Sequence, residues 1–160
     1  MKLYCYSKKD FVETMKSNNW TNSTLPSNVA VISICCTEDV KKYHHSAHYN
    51  GKSDFHYFND AENVLNLDFD DITTEQLEFN GHVAKCITKE QAEKAVKFIE
   101  AHKNCDFYIH CNAGMSRSQA FVKYISEKYH DLNWETRKEN PCLYPNIQVC
   151  NTLRRVDYEA

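Results

Sequence analysis

One segment, residues 105–120 (CDFYIHCNAGMSRSQA), restricts the possible folds more than any other part of this sequence. Its apolar run at 107–110 predicts a short buried strand that ends at Cys111. A helix is predicted over 117–129, because apolar residues recur there at helical spacing. A strand that passes through a tight loop into a helix is the unit from which parallel α/β sheets are built.

The rest of the chain continues this alternation. Further strands are predicted at Lys2–Tyr6, 29–36, 55–58 and 64–69. Helices are predicted from a Ser7 cap through Met15, from a Thr88/Gln91 capping box to about His102, and after Pro145. Residues 17–28 read as a loop, and 72–86 as irregular with a turn at Gly81. We therefore expect a single α/β domain over 1–160, with a central, mainly parallel sheet of four to five strands flanked by helices; residues 1–28 are its least constrained part.

Eight cysteines in 160 residues could indicate a disulfide scaffold or a zinc protein. However, no C-x-x-C pair occurs, and the N-terminal residues contain no apolar stretch of signal-peptide length. We therefore expect a cytoplasmic monomer whose cysteines are mostly core thiols. The net charge is −3 and no basic cluster exceeds a pair, so nucleic-acid and membrane-surface binding are disfavoured.

The loop between the strand and the helix combines residues suited to binding an anion. Free backbone N–H groups and the helix dipole converge at a helix N-terminus, where they bind phosphate and stabilise a thiolate such as that of Cys111. Arg117 supplies a planar fork for two oxygens. Gly114, one of three glycines in the chain, lies where a positive φ or a close approach would require it.

These residues resemble a known family. His110-Cys111-Asn112-Ala113-Gly114-Met115-Ser116-Arg117-Ser118 matches the H-C-x-x-G-x-x-R-[ST] signature of the cysteine-dependent protein phosphatases, and its form is most similar to the compact dual-specificity branch. The resemblance implies a protein tyrosine phosphatase-like fold. It also implies hydrolysis of phosphorylated protein side chains through a phosphocysteine intermediate, with no cofactor and no metal.

The resemblance also implies a role for each residue of the signature. Cys111 would be the nucleophile, Ser118 would stabilise its sulfur as the leaving group, and His110 would orient the loop from behind. The substrate phosphate would be held by the loop residues Asn112, Ala113, Gly114, Met115, Ser116 and Arg117. The general acid would lie on a loop after an upstream strand, which points to Asp71, with Asp70 as the alternative.

The loop contains no Lys and no Arg other than Arg117, which disfavours polyanionic substrates. We therefore expect single phosphomonoesters: phosphotyrosine, with phosphoserine or phosphothreonine as further substrates. The alternative is a pseudophosphatase that binds phosphorylated residues without useful turnover.

Two further features remain open at this stage. The resemblance also suggests a reversible disulfide between Cys111 and Cys35 or Cys36, because several members of that family carry a cysteine near the nucleophile on the equivalent strand; the alternative is that both are core thiols. His44, His45 and His48 could suggest metal ligands, but no cysteine or carboxylate stands beside them at ligand spacing, so a polar helix or loop is favoured.

Overall fold

A five-stranded parallel sheet forms the centre of the protein in our computed structural model, which describes residues 1–46, 54–114, 116–129, 135–138 and 144–160. The elements are, in chain order, β1 (Lys2–Tyr6), α1 (Lys8–Ser17), β2 (Val29–Cys35), α2 (Glu38–Ser46), β3 (Val64–Asp68), β4 (Gln76–Phe79), β5 (His82–Lys85), α3 (Lys89–Ala101), β6 (Asp106–His110), α4 (Arg117–Lys128), β7 (Glu135–Lys138) and α5 (Ile147–Glu159). The sheet order is β3-β2-β6-β1-β7. The expected α/β architecture, a parallel sheet flanked by helices, is confirmed.

Helices cover both faces of this sheet because its strands are apolar on both sides. Ile32 and Ile34 of β2 join the main core, to which α3, α4 and α5 contribute buried residues. Val31, on the opposite face of β2, packs in a second cluster with Phe11 of α1. A strand buried on both faces reads as a continuous apolar run, and β2 is such a run.

The helix caps expected from the sequence are present. Ser7 Oγ accepts a hydrogen bond from the backbone N–H of Asp10 at 3.2 Å and so begins α1. Thr88 and Gln91 form a capping box at the start of α3, with bonds of 3.0 and 3.1 Å.

The predicted strand at 55–58 is wrong. This segment is irregular and lies beside the outer edge of β3, where Asn66 Nδ2 donates to the Phe58 carbonyl and Asp60 accepts from the Asn66 N–H. Side chains therefore satisfy an edge that a further strand would have paired.

The irregular segment predicted at 72–86 is also wrong, because it contains the antiparallel hairpin β4–β5. Its turn is Asn80-Gly81, with φ of 47° and 74°, so the turn expected at Gly81 is present. The fifth strand of the central sheet, β7, was not anticipated and pairs with β1.

Parallel strands place their carboxyl ends along one edge of the sheet, where ligands of open α/β folds bind. Cys111 follows β6, Cys36 follows β2, Phe69 follows β3 and Ser7 follows β1. The topology thus brings four separate loops to the same edge. No helix in the described ranges has the length and apolar character to cross a membrane.

Candidate functional site

Cys111 lies immediately after β6 and is only 2% exposed. Burial alone would raise the pKa of its thiol, but the positive charge of Arg117 and hydrogen bonds from Ser118 and the Gly114 amide outweigh it, so the pKa is lowered. The Ser118 hydroxyl is 3.1 Å from Cys111 Sγ. The site therefore favours a thiolate in a position protected from bulk water.

The loop after Cys111 is held against the start of α1. Gly114 has φ of 71°, and a Cβ on it would lie 2.6 Å from the backbone of both Tyr6 and Ser7. The backbone N–H of Lys8 donates to the Asn112 carbonyl at 3.0 Å. Glycine is thus required both for the turn and for the close approach of β1. Ala113 belongs to the same loop, and Met115 lies outside the described residues.

Arg117 is the first residue of α4 and is buried. Its Nη1 donates to the Phe69 carbonyl at 2.8 Å and contacts Cys36 Sγ at 3.6 Å. Within the described part of the chain, its Nε has no hydrogen-bond partner. A buried donor without a partner is costly, and an anion bound in the loop would satisfy it.

The two candidate aspartates occupy different environments. Asp70 is buried, and its carboxylate accepts three hydrogen bonds, from the N–H and hydroxyl of Thr37 and from the Lys85 N–H. Asp71 is exposed, and its Oδ1 accepts from the Ser116 hydroxyl at 2.8 Å. The carboxylate of Asp71 therefore reaches the loop, whereas that of Asp70 joins the end of β2 to β5.

Asn146 completes the link to Asp71 and was not anticipated from the sequence. Its Nδ2 donates to Asp71 Oδ1 at 2.8 Å and to the Ile72 carbonyl at 3.0 Å, while its Oδ1 caps α5 through the Val149 N–H. An Asn just before an apolar helical pattern is a cap signal, but the contact with Asp71 spans 75 residues and has no local signal.

Behind Cys111, His110 begins a column of polar side chains that the sequence did not predict. His110 Nε2 lies 2.7 Å from the Ser33 hydroxyl, which is 2.7 Å from His56 Nδ1. His56 Nε2 in turn lies 2.7 Å from Asp68 Oδ1. The strand position expected for Asp68 is confirmed, but neither its partner His56 nor Ser33 carried a local signal.

Potential metal-ligand atoms of Cys35, His56 and Asp68 lie within 4.8 Å of one another. Both imidazole nitrogens of His56 already face hydrogen-bond partners, so the polar column accounts for this arrangement without an ion. Of the three histidines considered from the sequence, His44 and His45 belong to α2, and His48 lies outside the described residues.

Seven cysteines are described, and all are free thiols. Cys36 contacts Arg117, whereas Cys35 Sγ is 3.5 Å from His56 Nδ1. Cys5 was not anticipated near the site, yet its Sγ lies 3.3 Å from the Ser118 hydroxyl that also contacts Cys111.

The chain matches no protein-family model, no curated protein and no solved structure in our comparisons. Its function is therefore argued from the residues and geometry of the site.

Proposed function

We propose that this protein hydrolyses phosphomonoesters on protein side chains through a phosphocysteine intermediate, as a phosphatase of the tyrosine and dual-specificity type. The observation that carries the proposal is the pairing of Cys111, a buried thiol whose pKa is lowered, with Arg117, a buried guanidinium whose Nε has no partner in the described residues. A nucleophile and an anion receptor at one helix N-terminus are what phosphoryl transfer to sulfur requires.

In the first step the Cys111 thiolate attacks phosphorus, forming an S–P bond as the bond to the leaving oxygen breaks. Arg117 and the loop amides hold the nonbridging oxygens, whose charge they stabilise in the transition state. The leaving oxygen takes a proton from a carboxylic acid.

In the second step water attacks the phosphocysteine, the S–P bond breaks and inorganic phosphate leaves. The same carboxylate now accepts a proton from the water. The Ser118 hydroxyl, 3.1 Å from Cys111 Sγ, donates to the departing thiolate. This bond supports breakdown of the intermediate, because charge returns to sulfur in that step.

We assign the general acid to Asp71. Its contact with Ser116 places it beside the loop, and both hydrogen bonds from Ser116 and Asn146 end on Oδ1, so the transferable proton belongs on Oδ2. Asp70, the alternative, is buried and holds three donors from Thr37 and Lys85, which suits a structural carboxylate.

The substrate class follows from the charge of the loop and the shape beside it. The described loop residues supply one guanidinium, which suits one phosphate rather than several. A groove of about 360 Å³ opens beside Asn112, lined on its other sides by residues of α1 and by Phe55. Such a groove can take the chain that flanks a phosphorylated residue, so the substrate is a phosphoprotein or phosphopeptide carrying phosphotyrosine or, additionally, phosphoserine or phosphothreonine.

Hydrolysis of p-nitrophenyl phosphate tests the proposal against the alternative of a binding-only pseudophosphatase. The Cys111→Ser variant should lose activity by about 10⁴-fold or more, because it removes the nucleophile. Cys150→Ser, which changes a buried thiol of α5, is the matched control and should remain active. A wild type no faster than Cys111→Ser would exclude the enzyme, and retained binding of a phosphopeptide in that case would establish the binding module.

A panel of phosphopeptides then defines the substrate class. We expect turnover of phosphotyrosine peptides and slower turnover of phosphoserine or phosphothreonine peptides. Preference for an inositol polyphosphate over every peptide would contradict the assignment to protein substrates.

A further inference from the structure

The polar column behind the nucleophile connects the protein surface to the backbone of Cys111. Asp68 and His56 form its outer end, where their side chains are 55% and 20% exposed. Ser33 and His110 form its inner end and are buried. His110 Nδ1 lies 3.4 Å from the carbonyl oxygen of Cys111, so the column ends at the peptide bond that begins the anion-binding loop.

Charge restricts how protons can be arranged along this column. Burial and the nearby charge of Lys8 keep the pKa of His110 well below its ordinary value, so His110 is neutral and only one of its nitrogens carries hydrogen. A carbonyl oxygen and a carboxylate only accept hydrogen bonds. The two ends of the column are thus fixed acceptors, and the side chains between them determine the direction of every bond.

In the first arrangement, His110 Nδ1–H donates to the Cys111 carbonyl. His110 Nε2 must then accept from the Ser33 hydroxyl, and the Ser33 oxygen must accept from His56 Nδ1–H. Because His56 Nε2–H also donates to Asp68, both nitrogens of His56 carry hydrogen and the ring is an imidazolium.

In the second arrangement, His56 is neutral and keeps its single hydrogen on Nε2, towards Asp68. The Cys35 thiol near Nδ1 donates to Asp54, so the bare Nδ1 accepts from the Ser33 hydroxyl. The Ser33 oxygen then accepts from His110 Nε2–H. His110 Nδ1 now carries no hydrogen, so the hydrogen bond to the Cys111 carbonyl is lost. The protonation of His56 therefore sets the tautomer of His110 through the Ser33 hydroxyl between them.

We propose that His56 is a positioning residue whose protonation from solvent, relayed through Ser33, sets the tautomer of His110 and thereby makes or breaks the hydrogen bond on the backbone carbonyl of Cys111. When the bond is made, it orients and polarises the 111–112 peptide, and the Asn112 N–H becomes a stronger donor to a bound phosphate. This catalytic consequence rests on the proposed phosphatase function, whereas the tautomer coupling does not.

Charged groups from several elements surround this column. They are Asp68 on β3, Lys8 on α1, Lys41 on α2, Asp54 in the segment before His56, and Arg117 on α4, together with the neutral thiol of Cys35 on β2. Asp68 is the carboxylate in direct contact with His56, through a 2.7 Å bond.

Nitrogen NMR of the 160-residue chain, labelled at histidine, tests the coupling without any substrate. We expect His110 to carry hydrogen on Nδ1 at low pH and on Nε2 at high pH, with a midpoint equal to that of the His56 titration. Asp68→Asn should move both midpoints to lower pH together, while Asp157→Asn, which removes a carboxylate paired with Lys128 on α4, should move neither. A His110 tautomer that stays constant while His56 titrates overturns the proposal.

Ser33 provides the test of the relay itself. In Ser33→Ala, His56 should still titrate but His110 should no longer follow, and Ser33→Thr, which keeps the hydroxyl, should restore the coupling. If Ser33→Ala does not fold, the wild-type titration and the Asp68→Asn shift still decide the matter. Coupling that persists in a folded Ser33→Ala protein contradicts the relay.

The ratio of kcat/KM between wild type and Ser33→Ala, measured across the His56 titration, tests the catalytic consequence. In Ser33→Ala the Cys111 carbonyl is the remaining acceptor for His110 among these contacts, so its Nδ1–H should donate there at every pH. We therefore expect a ratio near one at low pH, where wild type also makes this bond, and wild type about fivefold slower at high pH, where it loses the bond. Taking the ratio cancels the pH dependence that both proteins share. A ratio independent of pH would contradict the catalytic role of the tautomer, whereas absence of hydrolysis in both proteins would contradict the proposed function and leave the NMR result standing.

Discussion

The ends of two neighbouring strands, β6 and β2, carry buried cysteines with opposite chemistry. Cys111 after β6 is 2% exposed and has a lowered pKa. Cys36 after β2 is 6% exposed, and burial together with Asp54 and Asp70 raises its pKa to about 12 although Arg117 opposes them. Cys35 beside it is fully buried, and burial together with Asp54 raises its pKa as well.

Burial therefore does not decide which thiol ionises, since it raises the pKa at both strand ends. What differs is the chain that follows each strand. After β6 the loop leads directly into α4, which places amide donors and Arg117 around sulfur. After β2, Cys36 Sγ also contacts Arg117, but the chain there adds carboxylates rather than amide donors, with Asp54 accepting from the Cys36 N–H. A helix follows each strand, so what makes Cys111 reactive is the set of hydrogen-bond donors that the loop and the start of α4 direct at its sulfur.

Of the changes to the residues around Cys111, removing the Arg117 guanidinium should give the largest loss of activity. Arg117→Met should lower kcat/KM for p-nitrophenyl phosphate by about 10³-fold, because the phosphate loses its charged ligand and the Cys111 pKa rises. Arg117→Lys should recover only a small part, since an ammonium lacks the bidentate fork. Arg154→Met, at an exposed arginine paired with Glu127, is the control and should match wild type. A fully active Arg117→Lys enzyme would show that charge alone suffices.

Alkylation with iodoacetamide measures the thiol difference directly. At pH 7 Cys111 should react about 10²-fold faster than Cys36 or Cys86, because a lowered pKa increases the thiolate fraction and pKa values of about 12 and 11 suppress it. As pH rises, the Cys111 rate should level off first while the other two continue to rise. Mass spectrometry of digests assigns each site. Equal rates at pH 7 would mean that the surroundings of Cys111 do not lower its pKa below those of Cys36 and Cys86.

We expect Asp71 to act in catalysis and Asp70 to stabilise the fold. Asp71→Asn should lower kcat by about 10²-fold with little change in phosphate binding, because it removes the general acid. Asp70→Asn should keep most activity but lower the free energy of unfolding by about 2 kcal/mol, because its hydrogen bonds to Thr37 and Lys85 lose their charge. Denaturant unfolding and steady-state kinetics on both variants separate the roles. The opposite pattern would move the acid to Asp70.

Oxidation gives the smallest effect and tests the predicted disulfide. Of the two candidates, Cys36 is the better placed, because it shares Arg117 with Cys111 while Cys35 contacts His56. After mild peroxide, which oxidises the Cys111 thiolate to a sulfenic acid, we expect condensation with the Cys36 thiol to give a 36–111 disulfide and water. Cys36→Ser should change kcat/KM no more than about threefold before oxidation but prevent recovery by thiols afterwards. A digest that contains only 35–111 disulfide peptides would show that Cys35 is the partner. A digest with no disulfide peptide of either kind would contradict the predicted disulfide.

Local signals predicted the parts of the fold that depend on neighbouring residues. The Ser7 and Thr88 caps act over three residues, and both are present. The strand–loop–helix around Cys111 is likewise a local pattern, and the structure reproduces it. The β4–β5 hairpin could also have been found, because Asn80-Gly81 is a strong hairpin turn signal that polar strands on either side obscured.

Contacts between distant segments could not be predicted in the same way. Phe58 and its apolar neighbours predicted a strand, yet they pack against α1 and beside the edge of β3, which depends on tertiary structure. His56, in the same segment, meets Ser33 only because the chain folds back over β2 and β3. Asn146 reaches Asp71 across 75 residues. A single sequence contains no local trace of such pairs.

The contact of Gly114 with Tyr6 and Ser7 has a consequence for how the molecule acquires its chemistry. Gly114 also contacts Cys5 of β1, which is 109 residues away in sequence. The loop around the nucleophile therefore reaches its final conformation only when β1 packs beside β6. Contacts of such long range form late, because closing a large chain loop costs entropy before it is rewarded. A partly folded chain would hold Cys111 as an ordinary unactivated thiol. The reactivity of the Cys111 thiol therefore indicates that folding is complete.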